Sequence, residues 1–256
     1  MAETGAWTVR RQQSIKFAAI VAVLFDTVAS AHGLPGIGTA DRRRPVAVDR
    51  PPFDSLVRVQ TELGGRCTGF LVAPTLVMTA AHCLFQPKVR AFLQPDAVHV
   101  LASYRAGTYR AHARAIRFLI SESYRPFVED GTAGADRAVL VLDRPVGTAA
   151  QALKLQPVPA LPAPIRLAGY GQDRDELALE SPACTASALV ADGQGRPLLA
   201  HDCQATSGTS GAPLVWRRPD ARWVAIGVQI EARTGAAGGI AVPALDAIPS
   251  GRSAGR

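Results

Sequence analysis

Long apolar runs are scarce in this chain of 256 residues. The one near the start, Phe17 to Phe25, is too short to span a bilayer comfortably, and Asp26 interrupts the stretch beyond it. No second segment is long enough to anchor a mature chain in a membrane. Lysine is scarce too: nearly all of the 28 basic residues are arginine, spread along the chain, for a formal net charge of +7. No run interleaves aromatic with basic residues as a nucleic-acid surface would. The charge therefore reads as a solvated surface with a weak attraction to acidic partners. Cysteine is limited to four, and none lies in the first 31 residues.

With 48% hydrophobic and 19% charged residues, the chain suits one globular unit of ordinary core size, or one double-barrel unit. Nineteen prolines and 23 glycines point to many turns and short strands rather than long helices.

Residues 1–31 read as an export signal. Arg10, Arg11 and Lys16 precede the short apolar run, and Ala29-Ser30-Ala31 fits the small-residue cleavage pattern. The destination is then the periplasm or the outside of the cell. Residues 32–52, rich in Gly, Pro and Arg, read as a flexible leader or short pro-segment. Strand-like stretches then come in a regular beat: Leu56–Gln60, Cys67–Val72, Leu76–Thr79, Val98–Leu101, Ala115–Ile120 and Val139–Leu142. A proline-rich connector spans Leu153–Pro164, and Ile165–Gly171, Cys184–Val190, Pro197–His201, Ala212–Trp216 and Trp223–Ile230 continue the pattern. Residues 249–256 read as a flexible tail.

The chemistry is carried by three separated stretches. Ser207-Gly208-Thr209-Ser210-Gly211-Ala212-Pro213 places a serine between two glycines, closed by proline. Glycine tolerates the angles of a tight turn, and such a turn aims successive backbone N–H groups at one spot where an oxyanion can form. A serine hydroxyl needs a base, which the histidine of Thr79-Ala80-Ala81-His82-Cys83 can supply near neutral pH. The histidine needs a buried carboxylate, and Asp136, entering the apolar stretch Val139-Leu140-Val141-Leu142, can be buried. Asp130 and Asp143 are rivals that look solvated. Of the other histidines, His32 sits at the cleavage point, His99 and His112 lie in strand-like stretches, and His201 lacks an Asp partner.

With this order of His82, Asp136 and Ser210, the chain resembles the chymotrypsin-like (trypsin-fold) serine peptidases from about Phe53 to Leu245. The resemblance implies an all-β fold of two antiparallel six-stranded barrels, about 53–150 and 163–248 within a domain of 53–248. It implies an acyl-enzyme mechanism with Ser210 as nucleophile, His82 as general base and Asp136 as its orienting partner. Gly208 and Ser210 N–H groups would form the oxyanion hole. No cofactor or metal is implied, and the expected partner of a monomeric chain is a protein or peptide substrate.

The spacing of Cys67 and Cys83 matches the family bridge that holds the histidine loop, and Cys184 would then pair with Cys203. A metal reading competes, because His82-Cys83 and His201-x-Cys203 supply zinc-type ligands, but these spacings fit no established zinc pattern. No Ile-Val-Gly-Gly start is present, and Thr209 stands where trypsin-like zymogens carry the Asp that pairs with a new amino terminus. These two departures draw the chain toward the bacterial branch that includes the V8-like glutamyl endopeptidases. Activity is then expected not to require a free, buried amino terminus. Gln204 falls at the base of the specificity pocket, so a preference for Arg or Lys is unsupported. Gly227-Val228-Gln229-Ile230-Glu231 has no histidine, so specificity for Glu is not carried over either. Gln204, Val228, Gln229 and Ile230 are the pocket-wall candidates. Two rival readings remain: a protease-fold binding protein without turnover, and an esterase-like acyl hydrolase using the same three residues.

Overall fold

A computed structural model describes residue 1 and residues 34–126, 131–245 and 253–254. The expected export signal, His32 and Asp130 lie outside the described residues.

The first barrel is built from β1 (Leu56–Thr61), β2 (Arg66–Ala73), β3 (Leu76–Thr79), β4 (Val98–Ala102), β5 (Ala111–Ile120) and β6 (Ala138–Leu142). The order around it is β1-β2-β3-β6-β5-β4, and pairing of β4 with β1 closes the ring. The second comprises β7 (Ala163–Gly169), β8 (Leu179–Ala191), β9 (Pro197–His201), β10 (Pro213–Arg217), β11 (Trp223–Ala232) and β12 (Gly239–Pro243). Its order, β7-β8-β9-β12-β11-β10, repeats that of the first, and β10 closes onto β7. Every pairing within each ring is antiparallel. Closure gives each of the six strands of each half a neighbour on both sides over part of its length. The sequence had left β12 unread, because Gly239 and Pro243 at its ends look like turn residues.

Alternation along each strand sorts side chains between two cores. Val57, Leu71, Val77 and Leu140 point into the first barrel with Phe118 and Val100. Their neighbours Leu56, Phe70, Met78 and Val139 point the other way and meet Tyr170, Val215, Ala225 and Val228 in an apolar layer between the barrels. Ile165, Leu167, Leu199, Leu214 and Ile226 fill the second barrel. Both faces of these strands are therefore buried, which explains their near-continuous apolar reading.

Residues 34–52 are not the flexible leader that their composition suggested. Ile37, Arg43 and Val48 are buried. Arg44–Pro45 pairs with Glu180 and Leu179 of β8. The Arg43 guanidinium is gripped by Asp41 (3.0 Å) and Asp173 (2.5 Å). Asp41 is local, but Asp173, Leu179 and Glu180 lie far along the chain, so local sequence could not show those partners. Ser253 and Ala254, expected in a flexible tail, pair with Leu119 and Phe118 of β5.

Candidate active site

β3 ends at Thr79 and leads into a short 3-10 turn, Ala81–Leu84, that carries His82. Another 3-10 turn, Ala133–Ala135, delivers Asp136 just before β6. Because β3 and β6 are neighbours, with Thr79 opposite Ala138, the two side chains emerge side by side. Asp136 is 7% exposed. Its Oδ2 lies 2.6 Å from His82 Nδ1, and its Oδ1 accepts the His82 backbone N–H at 2.9 Å. A carboxylate so placed fixes the proton on Nδ1 and leaves Nε2 as the basic nitrogen. Burial pushes the imidazolium down, but the charge and hydrogen bond of Asp136 outweigh it and hold His82 above its ordinary value of 6.5. Burial, with the Asp136 charge second, also drives the Tyr124 phenol well above its usual range.

Ser210 sits on the loop between β9 and β10. Gly208 (φ +92°) and Gly211 (φ +87°) both take left-handed angles. A methyl group on Gly211 would lie 2.1 Å from Thr68 O and 2.2 Å from Thr79 Oγ1, so only glycine fits. The loop is held from both sides: Thr68 N–H donates to Ser210 O (2.9 Å), and Gly211 N–H to Gln229 O (2.7 Å). Thr68 Oγ1 accepts from Tyr170 N–H (2.8 Å) and donates to Gly208 O (3.0 Å).

The peptide between Ser207 and Gly208 is fixed by its carbonyl, which accepts Gln172 N–H at 2.7 Å. In a trans peptide the N–H points opposite to the carbonyl, so Gly208 N–H faces away from Gln172. Gly208, Ser210 and His82 line one cleft of about 430 Å³. No direct hydrogen bond joins Ser210 to His82 within it. Sequence reasoning missed Gln172 and Thr68, which act through a backbone N–H and a buried hydroxyl and have no motif of their own.

Disulfides join Cys67 to Cys83 and Cys184 to Cys203. The sulfurs of both zinc-type readings are thereby occupied. Asp143, the described rival to Asp136, lies at the surface paired with Arg144.

The four pocket-wall candidates are not part of the cleft at Ser210. Val228 is fully buried in the layer between the barrels, and Ile230 packs with Ala80, Leu198 and Val242. Gln229 turns inward to His201, with Oε1 2.6 Å from His201 Nε2. His201 Nδ1 accepts Cys203 N–H (3.2 Å), so Nε2–H is the donor to Gln229. Burial pushes this histidine down to about 4. The Gln204 amide is taken up by the N-terminal segment: it accepts Arg42 N–H (2.8 Å) and donates to Ile37 O (2.5 Å) and Ala40 O (2.6 Å). Gln204 does line a separate cavity, shared with that segment and with Gly235–Ala237.

Comparison with known proteins gives the same architecture. The family described as "Trypsin-like peptidase domain" matches residues 67–228. A glutamyl endopeptidase of Bacillus licheniformis is 26% identical over 113 residues, a match spanning 43% of this chain and 33% of that protein. A solved structure titled as a Glu endopeptidase in complex with MPD superposes with a TM-score of 0.69 at 20% identity, covering 83% of this chain and 95% of that one.

Proposed function

The chain belongs to the trypsin-like peptidase family, and we propose that it is an exported serine endopeptidase working through an acyl-enzyme on Ser210. The observation that carries the reading is the buried Asp136 carboxylate 2.6 Å from His82 Nδ1, with Ser210 and His82 lining the same cleft.

Ser210 Oγ attacks the scissile carbonyl carbon while His82 Nε2 takes its proton. The carbonyl oxygen becomes an oxyanion that accepts from the N–H groups of Gly208 and Ser210. Losing one such donor typically lowers turnover by about 100- to 1000-fold. Collapse of the intermediate breaks the C–N bond, and His82 returns the proton to the leaving amine. Water then attacks the ester, giving its proton to His82. Ser210 recovers a proton as the acid departs.

Activation by an amino terminus paired beside the nucleophile has no acid to use, since Thr209 is buried and its N–H is bonded to Thr206 O at 3.0 Å. Export is supported by the signal-like residues 1–31 and by the two disulfides, which belong to oxidising compartments. The acidic preference in the relatives' names is not extended to this chain, because Gln204 and Gln229 are neutral and turned into the protein.

Intact-mass analysis after exposure to a fluorophosphonate tests the reading. A single adduct, absent from the Ser210→Ala variant, is expected. A folded, disulfide-bonded chain that takes no adduct would favour the binding-protein alternative.

A further inference from the structure

We infer that this site selects substrate on the leaving-group side of the scissile bond, where the cleft takes a bulky apolar residue. The inference rests on the acyl-enzyme reading above and names which peptides that site prefers.

The cleft at Ser210 is lined mainly from one barrel. Besides Ser207, Gly208, Ser210 and Gln172, its lining comes from the first barrel: the β1–β2 turn, the Cys67–Cys83 bridge and the stretch after His82. None of β11 contributes. The leaving amine must receive its proton from His82, so the peptide beyond the broken bond departs past His82 and the bridge. The open volume of about 430 Å³ therefore belongs to the leaving group.

Its lining sets four apolar side chains among the polar groups of Thr61, Arg66, Gln86, Gln172 and Ser207. The four are Leu63, Phe85, Pro87 and Leu93. Phe85 is braced edge-on by Phe92 with centroids 5.3 Å apart, and the Cys67–Cys83 bridge ties β2 to the histidine turn. Leu63 is 63% exposed at the turn tip, so a docked side chain would remove apolar surface from water on both partners. Arg66 is the one charged lining residue besides His82, and it is already paired with Asp175. An acidic side chain would have to compete with that pair. On the acyl side, by contrast, the Gln204 amide is consumed by Ile37, Ala40 and Arg42.

Acyl transfer isolates the leaving-group side. p-Nitrophenyl butyrate acylates Ser210 and releases p-nitrophenol. An added amino-acid amide then attacks the ester carbonyl, passes its proton to His82 and forms an N-acyl product, while Ser210 regains its proton. L-leucinamide and L-phenylalaninamide are expected to trap the acyl-enzyme about tenfold better than glycinamide or L-aspartic acid α-amide. Leu63→Ser, at an exposed turn tip, and Leu93→Ala should each pull that ratio toward one. Ile116→Ser, on the outer face of β5 and outside the cleft, should leave it unchanged. Because the ratio is internal to each protein, it does not depend on the folded fraction. Release of p-nitrophenol with equal trapping of all four amides, or with preference for the acidic one, overturns the inference. Release no faster than with Ser210→Ala overturns the acyl-enzyme reading itself and this inference with it.

Discussion

One carboxylate holds His82 twice: Asp136 Oδ2 meets the ring at 2.6 Å, and Oδ1 accepts the backbone N–H of the same residue at 2.9 Å. Ring and main chain are thus fixed together, and the proton on Nδ1 is set by geometry rather than by solvent. The proposed base must be neutral to accept the Ser210 proton. Since Asp136 holds His82 above 6.5, kcat/KM is expected to fall as pH drops, with the midpoint of that limb above 6.5. A pH–rate profile on an ester substrate measures it.

Asp136→Asn should lower kcat by about 10⁴-fold, because a neutral amide stabilises neither the required tautomer nor the imidazolium. The acid limb should move to lower pH in the residual activity, since the charge that raised His82 is gone. Single-turnover kinetics across pH 5 to 9 read both effects.

Gly211→Ala should be unable to form the native loop. Its methyl group would overlap Thr68 O and Thr79 Oγ1, at a left-handed backbone angle. A loss of at least about 3 kcal/mol is expected in urea unfolding, together with loss of fluorophosphonate labelling.

His201 should make the fold acid-sensitive. Its folded-state value is depressed to about 4 by burial, against 6.5 in the unfolded chain. Its contribution is intact above pH 6.5. It is lost as pH falls from 6.5 towards 4, where the unfolded chain binds a proton that the folded one refuses. The loss approaches about 3 kcal/mol. His201→Gln should remove most of this slope from a plot of unfolding free energy against pH.

Gln204→Ala should loosen the N-terminal segment rather than alter substrate choice. Three hydrogen bonds to Ile37, Ala40 and Arg42 disappear, at a cost of about 2 kcal/mol. Hydrogen exchange should speed up at Arg42 and its neighbours, while the amide-trapping preferences stay as in the parent protein.

The many short strands and the grouping of His82 with Asp136 could be read from short local signals, whereas the two six-stranded barrels followed only from the family resemblance that those signals carry. Thr79–Cys83 and Ser207–Pro213 carry their geometry in adjacent residues, and the strands show as short apolar runs bounded by turn residues. Asp136 was legible only through the strand it enters. The N-terminal segment was misread because its order comes from Gln204 and Asp173, more than a hundred residues away. The pocket candidates stay out of the cleft at Ser210 for a related reason. Sequence position fixes where a strand passes the nucleophile, but packing decides whether Val228 faces a cavity or a core. Gln172 escaped notice because its contribution is a backbone N–H, which every residue but proline can offer.

Thr68 belongs to the first barrel, yet its N–H and hydroxyl both bond the loop that grows from the second, and its carbonyl crowds Gly211 there. The two halves share one strand order, but they are not interchangeable parts. A second barrel grafted from a relative would arrive with its own nucleophile loop, shaped to a different Thr68. Recombination between family members should therefore succeed only when β2 and the Ser207–Pro213 loop travel together.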